Sequence, residues 1–429
     1  MKKIKEYLLP IYIILNLLYI LIGSYLITTN KIKILLFSKG YRILLILNIL
    51  VLLTIFIIKR KNKKDLNFKI IDILLLSILL FGAISVIFAV NRKVAIYGIG
   101  GRYEGELSIL YYFSLYMLST YIEKKHKKII VYSIITCGII ELIYAILQIT
   151  CVEHVYRMWH KNKVWATGFI TNPNFFGSFM IINLSYVLGL FIDEKKLPLK
   201  IIHGLLIFAF TIGLLISNTT SCAVGLMVVS LYVMIYTIKE KKYIKLGLII
   251  LTIITATILT TKLGYTGLVK DIIKTKNQTV EIAKGNINDK YGSNRIFIWK
   301  NTLKVLPNHI LTGAGIDNFY YAFGKKPLTM KGWFFDKAHN EYLQILTCEG
   351  IFSLISYLLF YGCIVIKGIK NNYKNKEIYL ILPVIGYLVQ AFFNISVIEV
   401  APFFYISLGL LVDRGNINEK GKCNNTCIQ

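Results

Sequence analysis

The sequence predicts an all-α polytopic membrane protein, with about twelve transmembrane helices and one large extracytoplasmic loop containing short helices. Three observations predict it. Of 429 residues, 56% are hydrophobic and only 17% charged, and the mean hydropathy of +0.62 is above what a soluble domain of this size shows. The apolar residues gather into runs near the length of about 20 that a helix needs to cross the hydrocarbon core, where only self-satisfied backbone is tolerated. The formal net charge of +28 falls in short basic runs between those stretches, which is a topology pattern and not a nucleic-acid surface. Seven cysteines show neither metal-ligand spacing nor a disulfide framework and read as ordinary apolar residues. The first apolar run follows Met1-Lys-Lys-Ile-Lys without a small-residue cleavage site, so it is expected to stay as a span.

Twelve candidate spans lie near 7 to 29, 43 to 58, 70 to 90, 107 to 122, 129 to 150, 173 to 192, 201 to 216, 221 to 238, 246 to 262, 341 to 366, 378 to 394 and 400 to 412. The pairs joined at 217 to 221 and at 394 to 400 are short and tight, so either can be a full hairpin or a re-entrant one. With the N-terminus inside, cytoplasmic segments carry 27 of the 50 basic residues and the short outer loops 10. That bias puts both termini in the cytoplasm, because short cytoplasmic loops hold the excess of Lys and Arg. The other 13 lie in one outer loop from about 262 to 340, which is exempt because long loops cross largely regardless of charge.

Three units follow: helices 1 to 9 over 1–262, an extracytoplasmic catalytic loop over 263–340, and helices 10 to 12 with a cytoplasmic tail over 341–429. A loop of that length inside a compact protein is expected to be functional. Asp271 to Lys290 reads as polar surface, mobile or helical. From Arg295 to Leu306, Ile296, Trp299, Leu303 and Leu306 fall at helical spacing beside lysines, which predicts an interfacial amphipathic helix ending at Pro307. Gly313-Ala-Gly315 then reads as a flexible turn.

The chain has 43 Lys and 7 Arg, so each arginine departs from its habit. Arg42, Arg92, Arg102, Arg157 and Arg295 fall on the outer side, where a planar guanidinium grips phosphate or carboxylate oxygens bidentately; anchoring at the membrane surface is the competing account. Arg102 stands in Gly98-Ile-Gly-Gly-Arg-Tyr-Glu-Gly105, where glycines allow close backbone approach to a ligand, although a glycine-rich entry turn also explains them. Asn172 and Asn174 flank Pro173 at a helix start, where capping is a sufficient account. His339-Asn340-Glu341 opens another helix. There the dipole disfavours imidazolium, so His339 reads as a general base or as a capping residue. Glu141, with Gln148 seven residues on, is the carboxylate deepest in a span, either functional or a polar tie between helices.

Three stretches together resemble the O-antigen ligase and polymerase family. They are Thr167-Gly-Phe-Ile-Thr-Asn-Pro-Asn174; Gly292-Ser-Asn-Arg-Ile-Phe-Ile-Trp299 with Pro307 and Gly313-Ala-Gly315; and Ala338-His-Asn-Glu-Tyr-Leu343 with Glu349-Gly350. Their order around the large outer loop also agrees, over about residues 70 to 410. Weaker agreements are the turn bearing Arg102 and Glu104, and Gln148. The resemblance implies an inverting glycosyl transfer, independent of metal and cofactor, from an undecaprenyl-pyrophosphate-linked glycan to a hydroxyl of a glycan, lipid or protein. It assigns Arg102 and Arg295 to the pyrophosphate and His339 to the acceptor hydroxyl. Arg157, Asn172, Asn174, Trp299, Asn340, Glu104 and Gln148 are implied around the substrates. The place is the outer face of the bacterial cell membrane, in cell-surface polysaccharide synthesis.

Two other functions compete. A lipid-linked oligosaccharide flippase or other transporter would put its polar groups at midplane in broken helices or repeats, whereas here they gather in one outer loop. A peptidoglycan polymerase would need an acidic catalytic residue with no clear counterpart in 262–340.

Overall fold

The computed structural model describes residues 2–61, 69–152, 155, 158–160, 163–265, 267–330, 332–412 and 414. The described residues form sixteen α-helices in chain order: α1 Lys2–Thr28, α2 Ile34–Lys61, α3 Ile70–Ile87, α4 Arg92–Tyr97, α5 Glu106–Thr120, α6 Lys124–Ile149, α7 Pro173–Asp193 and α8 Leu197–Ile216. Then follow α9 Thr220–Lys239, α10 Tyr243–Lys262, α11 Gly267–Ala283, α12 Arg295–Val305, α13 Glu341–Glu349, α14 Ile351–Asn375, α15 Ile378–Ala391 and α16 Ala401–Leu410. Among the described residues, Met158–His160 pairs antiparallel with Lys163–Trp165, and Thr329–Met330 with Trp333–Phe334. All twelve segments expected to span are helical. Among the described residues, nine helices are long and apolar enough to cross a membrane.

Helix α7 is the hub. It carries no charge between Pro173 and Ile192, its spanning window is wholly enclosed, and it packs on α6, α8, α9 and α15. Small residues make this possible: a Cβ at Gly189 would lie 2.3 Å from Tyr379 Cα, so α15 approaches at backbone distance. Helices α2 and α10 are peripheral, presenting Ile46, Leu50, Ile57, Leu251 and Ile258 outward as a lipid-facing surface. Polar ties join the first helices, with Tyr12 donating to Asn48 at 2.6 Å and Asn48 to Ser114 at 2.8 Å.

The connecting segments sort onto two ends of the bundle. At one end Lys125 pairs with Glu6, Lys124 with Glu377, Lys242 with Asp193, and Lys376 with Glu240. The other end gathers Thr28 against Phe169, Asn91 against Asn318, and Gly267 against Asn218. These are the same two sets of loops that the lysine count separates.

Three expectations are corrected. The span expected at 341 to 366 is two helices, because Gly350 at φ +87 passes so close to the Leu311 carbonyl that a Cβ would lie 2.3 Å from its oxygen. Gly313-Ala-Gly315 is not a loose turn: Ala314 N and Gly315 N donate to Thr347 O and Cys348 O at 2.9 Å each. Helix α12 uses only part of the apolar stripe that the spacing suggested, with Trp299 packed on the loop core. It buries Ile298 and Thr302 on a core of Phe319, Leu328, Ala338 and Cys348, leaving Leu303 57% exposed. Helix α11 is a surface helix with a single buried residue, Leu268.

The two tight pairs differ. Helices α8 and α9, 20 residues each, are about 30 Å long and make a full hairpin. Helices α15 and α16, 14 and 10 residues, reach about 21 and 15 Å. Each falls short of the ~30 Å core, so the 392–400 loop between them turns back within the bundle's depth and forms a floor.

Candidate active site

Arg102 rides on a turn that only glycine closes. Gly98 has φ +84, where a Cβ would lie 2.2 Å from the Tyr103 carbonyl carbon, and at Gly105 a Cβ would lie 2.4 Å from Gly98 N. The turn is tied from both sides, by Tyr41 donating to Tyr103 O at 2.8 Å and by Ile99 N donating to Asp317 Oδ2 at 2.6 Å. The Arg102 guanidinium lies over the Phe175 ring, 6.0 Å from its centroid. Its Nε is 3.4 Å from Asp336 Oδ2, and its Nη1 is buried without a partner among the described residues.

Asp317 links this turn to the segment bearing His339. Its other oxygen pairs with Lys337, and both side chains are buried. Burial, the largest influence, opposes the Lys337 charge, but the charge and hydrogen bond of Asp317 together with the charge of Glu104 outweigh it and hold the ammonium pKa above its usual value. Next in the chain, Ala338 is fixed on both backbone groups: its N donates to Gln344 Oε1 at 2.8 Å, and its O accepts from Trp299 Nε1 at 3.0 Å. Asn340 caps α13, accepting from Leu343 N at 3.0 Å. His339 lies between these fixed neighbours at φ +49.

Arg102 and His339 open onto one cavity of about 550 Å³, which Lys290, Asn294 and Asp336 also line, with Met330, Phe334 and Phe335 as its apolar wall. Burial, then the charges of Arg295 and Arg102, lower the His339 pKa to about 4, with Asp336 opposing. The imidazole is therefore neutral near pH 7 and able to accept a proton. Below lies a small chamber of about 50 Å³ bordered by Glu104, Lys337, Glu341 and Glu349.

Residues 205–358 match the family model described as O-antigen ligase. Over that stretch the chain is similar to the O-antigen ligase family. A comparison with curated proteins finds no match. The matched stretch of the O-antigen ligase model runs from α8 into α14. It contains Arg295, Trp299, His339 and Asn340, while the turn with Arg102 lies outside it.

Two of the implied site residues, Arg102 and His339, share the cavity. Arg295 is turned to the floor: Nε and Nη2 donate to Phe393 O at 3.1 and 2.8 Å, and Nη1 to Gly292 O at 3.0 Å. Trp299 acts on the site through Ala338 and packs on Phe392 and Phe393. Glu104 also holds the floor, accepting from Ile398 N at 2.6 Å and from Tyr112 at 2.7 Å. Burial pushes its pKa up to about 8, with Lys337 opposing, so the carboxyl is largely protonated at neutral pH.

The remaining implied residues are spent on the fold. Asn172 caps α7 through Asn174 N at 2.8 Å, and the Asn174 carbonyl accepts from Ser178 and Asn394. Gln148 is fully buried and holds Thr167 and Gly168, while Glu141 holds Phe169 N at 2.6 Å, so this pair is a polar tie. Arg42 and Arg92 bond local carbonyls, Tyr97 O and Ile87 O. Arg157 lies outside the described residues. Sequence reasoning passed over Lys290, Asn294, Asp317, Asp336 and Lys337. With only 22 acidic residues in the chain, the Asp336-Lys337 pair just before His339 was the available signal.

Proposed function

We propose that this protein transfers a glycan from an undecaprenyl-pyrophosphate carrier to a hydroxyl of a glycan, lipid or protein acceptor at the outer face of the bacterial cell membrane. The observation that carries the reading is the shared cavity, which the Arg102 guanidinium and a neutral His339 both line. Displacement at a sugar carbon needs a stabilised leaving group and a deprotonated oxygen, and these two groups supply one each.

The acceptor oxygen forms a bond to the anomeric carbon as its proton passes to His339. The carbon–oxygen bond to the pyrophosphate breaks from the opposite face, inverting the centre. Undecaprenyl pyrophosphate leaves with the bonding electrons, its new charge facing Arg102 and Lys290, and the imidazolium returns its proton to water. No metal takes part in this scheme. The catalytic unit is the 263–340 loop together with the Gly98–Gly105 turn. Arg295 and Trp299 serve it by holding the floor and Ala338.

The test is transfer by the purified full chain with Arg102→Lys, which keeps the charge and removes the fork. Transfer is expected to fall strongly with normal protein level and to be unchanged by a chelator. Near-normal transfer in Arg102→Lys, or abolition by the chelator, would reject this reading.

A further inference from the structure

Among the described residues lining the cavity, Asp336 is the acidic one. A carboxylate in a site built for pyrophosphate opposes binding by like charge, so its presence calls for a role. Its contact with Arg102 is loose: one nitrogen at 3.4 Å, with the two side chains 28% and 32% exposed. Arg–carboxylate pairs made to last are bidentate and shorter. The neighbouring Lys337 and Ala338 are tied by Asp317, Gln344 and Trp299, whereas Asp336 is held through its single longer contact with Arg102. The charged groups acting on His339 are Arg295, Arg102 and Lys337 on one side and Asp336 on the other, with Lys290 on the same wall.

We propose that Asp336 is a displaceable counter-ion of Arg102, which the donor's pyrophosphate replaces and which then serves as the acidic partner of the His339 imidazole during transfer. The inference rests on the functional reading above. Phosphate oxygens take the Arg102 nitrogen now paired with Asp336 and repel the carboxylate. The pyrophosphate offsets the Arg102 charge that disfavours imidazolium, and Asp336 adds a stabilising one. Donor loading thereby raises the basicity of His339, and the proton still passes from acceptor hydroxyl to imidazole. Asp336 is a positioning residue in this scheme.

The experiment uses the full chain in lipid nanodiscs, with undecaprenyl pyrophosphate as the binding probe and a lipid-linked glycan for turnover. Asp336→Asn is expected to bind the probe roughly two- to fivefold tighter, the scale of a part-exposed ion pair removed. Its kcat should fall about tenfold or more, and the acid limb of the kcat profile should move to lower pH, because the imidazole loses the charge that raised its pKa. Asp336→Ala should tighten the probe likewise, whereas Asp336→Glu should recover kcat. Unchanged or weaker probe binding in both Asn and Ala variants, or a wild-type kcat in Asp336→Asn, overturns the proposal. Arg102→Lys separates the two levels: if it leaves probe affinity and transfer intact the functional reading fails, and if it weakens both while Asp336→Asn binds no tighter, the counter-ion role alone fails.

Discussion

The two ends of the bundle carry most of their charge differently, although Asp72 and Arg414 make a largely enclosed pair at the lysine-rich end. At the lysine-rich end, pairs such as Lys376 with Glu240 are solvated, with side chains 64% and 24% exposed. At the loop end, Asp317 and Lys337 have side chains 0% and 5% exposed. A solvated lysine supplies only sign, which suffices for topology. A buried ion must match a partner in position, because removing that partner leaves an uncompensated charge. One end therefore tolerates exchange, and the other specifies geometry around Arg102 and His339.

The largest effect distinguishing the ends is all-or-none. In a cysteine-free background, Lys284→Cys is expected to react with a membrane-impermeant thiol reagent in intact cells, and Lys195→Cys only after permeabilisation. The reverse labelling would put the cavity in the cytoplasm.

Next is the buried pair. Lys337→Met should cost roughly 3–5 kcal/mol, read as a large fall in thermal unfolding temperature. The double variant with Asp317→Asn should be less damaged than that single one; an equal or greater loss would show that the pair is not coupled. A smaller effect separates two arginines. Arg295→Lys loses donors to Phe393 O and should cost about 1.5–3 kcal/mol of stability, whereas Arg102→Lys should leave unfolding near wild type while weakening donor binding. If Arg295→Lys spares stability and removes donor affinity, its role is at the pyrophosphate and not on the floor. At the lysine-rich end, Lys376→Ala should stay within about 0.5 kcal/mol of wild type; a larger loss would contradict the contrast between the ends.

The spans were legible because crossing hydrocarbon demands about 20 apolar residues. The break at Gly350 was not, since Ile351 to Ile366 continues the apolar run and the cause is a backbone contact with Leu311. Helix α12 shows the same limit. Its spacing put Ile296, Trp299, Leu303 and Leu306 on an interfacial face, but the residue the loop's own core of Phe319 and Leu328 encloses is Ile298, off that face. Arg102 and His339 were legible through residue choice, an arginine in a lysine-rich chain and a histidine at a helix start. The pairing of Asp317 with Ile99, 218 residues apart, and with Lys337 was invisible, because acids in a polar loop look solvated until the fold encloses them.

The central claim is that His339 removes the acceptor's proton in a cavity where Arg102 holds the donor. Its most direct test compares kcat and donor affinity for the purified wild type and His339→Ala, across pH. A general base contributes about 10² to 10⁴-fold. The account expects a loss of kcat in that range, with donor affinity unchanged within about twofold, and an acid limb present in the wild type alone. A loss of only a few-fold, or an equal loss of donor affinity, would make His339 a positioning residue and contradict the account.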